Sequence, residues 1–76
     1  MNFPLEITAE WDTEAGAWVA TSDDVPGLVT EAETMEVLLA RLRIMIPELL
    51  ALNGMARQGD ISFRLRSERL EQVRTV

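Results

Sequence analysis

The sequence predicts a small α+β domain, an antiparallel sheet covered by one long helix in the order β-β-β-α-β. Two stretches show the period of two that marks half-buried strands: Leu5, Ile7, Ala9 and Trp11 alternate with Glu6, Thr8 and Glu10, and Ile61, Phe63 and Leu65 alternate with Ser62, Arg64 and Arg66. Between Thr34 and Asn53, apolar side chains recur instead at three- and four-residue steps, the mark of an amphipathic helix.

The first strand ends at Asp12-Thr13-Glu14-Ala15-Gly16, a turn-prone run whose closing glycine tolerates a positive φ. Ala17 through Ser22 then returns as the second strand of a hairpin. A regular five-residue loop would place Trp11 opposite Ala17 and send Trp18 to the other face beside Glu10, whereas one bulge would reverse that orientation. Asp23-Asp24-Val25-Pro26-Gly27 breaks the alternation; proline followed by glycine favours a turn in which Pro26 presets φ and Gly27 takes the left-handed position. Leu28 through Ala32 makes a third strand, enough for a meander that a lone hairpin could not stabilise.

Thr34 is suited to cap the helix and Glu36 to its first turn, near the positive end of the helix dipole. Leu38, Leu42, Met45, Leu49 and Leu52 form the apolar stripe, widened by Leu39, Ile46 and Leu50. About 18 residues of helix, about 27 Å long, suffice to cover the sheet. Pro47 interrupts the stripe's hydrogen bonding, so a kink or tight break within one helical arm is expected, and Asn53-Gly54 supplies the stop. Met55 through Gly59 is a connection, and the last strand follows with its arginines on one face. The division expected is a domain over 1–66 and a charged tail over 67–76.

The chain has 76 residues, no cysteine, no histidine and a formal net charge of −6. At this length one core is expected, with self-association into a homodimer or higher homo-oligomer as a route to further burial. No apolar run reaches the length of a bilayer span, and MNFPLEITAE lacks the basic start of a secretory signal, so the expected location is the cytoplasm. Residues 1–36 hold nine acids and no base, which disfavours a phosphate backbone and suits a basic protein surface; residues 57–76 hold five arginines and three acids.

Missing residue types exclude much enzyme chemistry. Without histidine or cysteine there is no imidazole base, thiol nucleophile or ordinary zinc site, and lysine is absent as well, removing Schiff-base chemistry. The acidic pairs Asp12 with Glu14 and Asp23 with Asp24 fall at opposite ends of the second strand, about 20 Å apart, too far to share a metal. The reading is a non-catalytic protein-binding module without a cofactor. Its candidate partner-binding residues are Asp12, Glu14, Trp18, Asp23, Asp24 and Pro26. Arg64 and Arg66 are the candidates for DNA contact should two subunits join their last strands, and salt bridges to the acidic half are the simpler role for them.

In order, Trp11-Asp12, Trp18-Val19-Ala20, Asp24-Val25-Pro26-Gly27-Leu28, Thr34, Pro47-Glu48-Leu49-Leu50 and Asn53-Gly54 resemble the DUF1902 family, a relative of the HicB antitoxin N-terminal domain group. The resemblance covers residues 5–54 and continues through the last strand. It implies the β-β-β-α-β arrangement, described for HicB-like domains as a reduced ribonuclease-H-like fold, and a role as antitoxin in a type II toxin-antitoxin pair, neutralising a small basic toxin that cleaves mRNA. Many HicB-type proteins also repress their own operon through a separate C-terminal DNA-binding domain. In this sequence the arginine-bearing tail is the segment expected to substitute for it. The alternatives are a homo-oligomeric accessory domain with no toxin and a small DNA-binding regulator.

Overall fold

The computed structural model describes residues 3–76. Its elements follow the expected order: β1 (Leu5–Asp12), β2 (Ala17–Thr21), β3 (Val29–Ala32), α1 (Met35–Leu52) and β4 (Phe63–Glu68). The four strands form one sheet in the order β3-β2-β1-β4. The hairpin and β2–β3 are antiparallel, but β4 lies parallel to β1, with Leu5 beside Phe63 and Ile7 beside Leu65. The sheet is therefore mixed rather than wholly antiparallel. Geometry requires this: α1 carries the chain back along the sheet after β3, so the next strand runs in the same direction as β3 and hence as β1. That strand also starts later than the alternation suggests, leaving Ile61 outside it and taking in Ser67 and Glu68.

Each turn has a local cause. Asp12 pairs with Ala17, leaving Thr13 to Gly16 as a four-residue loop. The Asp12 carboxylate accepts the backbone N–H groups of Glu14 and Ala15 at 3.0 and 3.3 Å, and Gly16, at φ 65°, donates to the Asp12 carbonyl at 2.8 Å. At the other end Leu28 N–H donates to the Val25 carbonyl at 3.1 Å across Pro26 and Gly27, and Gly27 has φ 84°. This is the type II geometry expected of Pro-Gly. The Thr34 hydroxyl accepts the Val37 N–H at 3.2 Å, capping α1.

The helix runs unbroken through Pro47, so no new helix begins there. Its buried line is Leu38, Leu42, Ile46 and Leu50; Ile46 and Leu50 are central rather than peripheral, and Leu52 is 82% exposed. These four meet Leu5, Ile7, Ala9, Ala20, Val25, Leu28 and Ala32 in the core. The helix packs on β3 and β2, leaving Ile61, Phe63 and Leu65 half-buried at the core's margin. No helix is long and apolar enough to cross a membrane among the described residues.

Candidate functional site

Strand parity divides the sheet into a face under the helix and a face without cover. Trp11 pairs directly with Trp18, so both tryptophans lie on the helix side. The regular five-residue loop, which would have sent Trp18 outward, is overturned by the shorter loop that the Asp12 carboxylate closes. The two rings meet edge to face with centroids 5.4 Å apart, Trp18 packs against the core, and the Arg69 guanidinium lies 4.2 Å over the Trp11 ring.

The uncovered face is ordered by register. One cross-strand row brings Glu31, Val19, Glu10 and Glu68 side by side, and Asp12 and Glu14 follow at the hairpin end. These five acids are exposed, and they surround a half-buried valine. At the opposite end of the same face, Glu6 meets both candidate DNA-contacting residues: Arg64 at 3.1 Å and Arg66 at 3.9 Å. The face thus has an acidic half and a half in which the acid and the arginines offset one another. Pairs this exposed contribute at most about 1 kcal/mol each, so they define charge distribution more than stability.

Several residues expected to meet a partner are engaged within the fold. Asp24 accepts the Glu6 N–H at 2.7 Å, its own N–H donates to the Ser22 hydroxyl at 3.0 Å, and that hydroxyl donates to the Glu6 carbonyl at 2.6 Å. Together they clasp the start of β1 to the end of β2. The Pro26 carbonyl accepts from the Asn53 side chain at 3.1 Å, tying the turn to the end of α1. Asp12 closes its loop. Glu14 and Asp23 remain exposed, at opposite ends of β2. Glu10, Glu31 and Glu68 were not singled out by the sequence, although the parity of Glu10 opposite the apolar positions of β1 was readable there; Glu68 fell in the expected tail, and only the strand register places the three in one row.

No group of three acidic, histidine or cysteine side chains suited to a metal occurs among the described residues. The site presents charge and surface, and no convergent set of reacting groups.

The crystal structure of hypothetical protein TTHA1013 from the extremely thermophilic bacterium Thermus thermophilus is similar to this chain, with 51% sequence identity over 96% of this chain and 100% of that one, and a TM-score of 0.73. None of the curated proteins matches. A domain of unknown function, DUF1902, matches residues 4–76, which takes in every strand, the helix and the tail, and the chain belongs to the DUF1902 family.

Proposed function

We propose that this domain is a non-catalytic protein-binding module that receives a basic partner on the uncovered face of its sheet. The observation that carries the reading is the acidic row of Glu31, Glu10 and Glu68 around Val19, extended by Asp12 and Glu14. Charge of one sign steers a basic surface and excludes acidic ones, while half-buried Val19 at its centre offers an apolar contact. Its resemblance to HicB-type antitoxins supports the finer reading, in which the partner is a small basic mRNA-cleaving toxin and the domain neutralises it by occupancy. Asp23, exposed beside the Asp24 clasp, extends the contact at the far end.

The test is a pull-down from native lysate at moderate salt with tagged wild-type protein and the double variant Glu10→Lys, Glu31→Lys, neither of whose side chains supports a turn. A small basic protein retained by the wild type, lost by the variant, and blocked in RNA cleavage by stoichiometric wild-type domain supports the antitoxin reading. Equal capture by both proteins would overturn the acidic face as the contact. A captured basic protein without RNA-cleaving activity would retain the module and reject the toxin.

A further inference from the structure

Three features at one edge of the molecule are unexplained by a partner on the acidic face. The first is the free side of β4. The Leu5 N–H donates to the Ser62 carbonyl at 2.9 Å, and the parallel register then turns the backbone groups of Ser62, Arg64 and Arg66 toward β1. The N–H and C=O groups of Phe63, Leu65 and Ser67 consequently point away from the sheet, along an open edge. The second is a groove of about 290 Å³ between α1 and the approach to β4, lined by Leu42, Ile46, Pro47, Arg57, Ile61 and Phe63 among others. The third is the segment after β4: Leu70 and Val73 are 92% and 89% exposed, and neither joins the apolar core among the described residues.

The dimensions agree. A compact monomer of 8.5 kDa exposes about 4,700 Å², and this chain exposes 5906 Å². The radius of gyration is 14.4 Å, against about 11.4 Å for a compact domain of 76 residues. The surplus area, about 1,200 Å², exceeds the roughly 800 Å² that each partner of a standard interface buries.

We infer that β4 pairs antiparallel with β4 of a second copy about a two-fold axis at Arg66, joining two sheets into one of eight strands and laying each tail along the other copy's groove. The two-fold requires residues opposite one another to share a face, so the axis falls on a residue; axes at Leu65 and Arg66 each pair five residues of β4 with five of its copy, every other axis pairs three or fewer, and charge decides between the two. An axis at Leu65 sets Arg64 against the second copy's Arg66 twice. An axis at Arg66 sets Arg64 against Glu68 twice, with one Arg66–Arg66 contact flanked by the two Glu6 carboxylates. In that register Leu65 exchanges hydrogen bonds with Ser67, and residues 69–75 run past residues 63–57 of the second copy, the stretch that forms one wall of the groove. Edge pairing, groove and tail are then satisfied by one symmetric contact. The contact takes up Glu68, the acid at the β4 end of the acidic row, and leaves Glu10, Glu31, Asp12 and Glu14 open, so it stands whatever occupies the rest of that face.

Sedimentation equilibrium of the full chain, with two single substitutions, tests this. Wild-type protein is expected to sediment at twice the 8.5 kDa chain mass. Ser67→Pro removes an N–H that no strand within the chain uses, so circular dichroism should stay unchanged while the dimer weakens about 30-fold, the effect of two lost hydrogen bonds. Because the chain has no cysteine, Arg66→Cys reports the register directly: directly opposed residues of this kind lie about 4.5 Å apart at Cα, within disulfide reach, and oxidation should yield a covalent dimer. Arg64→Cys, displaced from its own copy by four residues or about 14 Å, should not cross-link. A wild-type monomer at about 100 µM, a concentration at which micromolar dimers are saturated, would overturn the inference. So would a dimer indifferent to Ser67→Pro whose Arg66→Cys form fails to cross-link.

Discussion

The Asp24 carboxylate accepts the backbone N–H of Glu6 at 2.7 Å, while Ser22, two residues earlier, donates to the carbonyl of that same Glu6. A side chain and a hydroxyl thus continue the β1–β2 ladder beyond Thr21, where the chain has already begun to turn toward Pro26. The acid most conspicuous in sequence is therefore part of the sheet's hydrogen bonding.

Asp24→Ala should lower stability by about 1 kcal/mol through loss of this hydrogen bond, and Asp24→Asn, which keeps an acceptor, should recover most of it. Urea denaturation of the three proteins checks the order. Asp23→Ala, at an exposed position without these contacts, should leave the midpoint unchanged.

Trp18 fills the helix side of the sheet against Trp11. Trp18→Ala is expected to destabilise by about 3 kcal/mol, and Trp18→Phe by about 1 kcal/mol because an aromatic edge contact survives. Chemical denaturation followed by far-ultraviolet circular dichroism measures both without relying on the fluorophore removed. Were Trp18 on the uncovered face, either change would register near zero.

Pro47 is exposed within an unbroken helix, so its ring contributes no core packing that alanine would forfeit. Pro47→Ala restores a donor for the residue 43 carbonyl and should stabilise by about 1–2 kcal/mol, after discounting the greater freedom alanine gives the unfolded chain. A thermal melt should show a higher midpoint with unchanged helix content.

Gly27 sits at φ 84°, where an added Cβ would meet the Leu49 side chain at 3.8 Å, an ordinary contact. The loss on Gly27→Ala is therefore conformational, about 1 kcal/mol, and Gly27→Asn, which tolerates the left-handed region better, should lose less. Comparative melts of the two variants separate backbone strain from crowding.

These residues also show where the sequence was legible. Pro26-Gly27, Thr34 and Asn53-Gly54 announce their turn and caps because each acts through local backbone geometry, and the structure has them in those roles. The hairpin register was beyond local reading: the run Asp12 to Gly16 accommodates a four- or a five-residue loop, depending on whether Asp12 pairs, and the choice moves Trp18 across the sheet. The direction of β4 was readable in principle, since an intervening 18-residue helix returns the chain to the end at which β3 began, but alternation alone carries no direction. The acidic row was hidden for a related reason. Glu10, Glu31 and Glu68 come from three strands, and nothing within any one of them brings them together.

The pairing of β1 with β4 has a bearing on how the molecule comes into being. Glu6 and Arg64 are 58 positions apart in a chain of 76, so the inner strand of the sheet gains its second neighbour only after nearly the whole polypeptide has been synthesised. The hairpin and the helix close over short distances and can form early, whereas β1 waits with one side open, and contacts of such separation slow folding. A nascent chain stalled before residue 63 would leave β1, the strand that carries Leu5, Ile7 and Ala9 of the core, as an open edge, and completion of β4 moves that edge outward to a strand only half-buried at the core's margin.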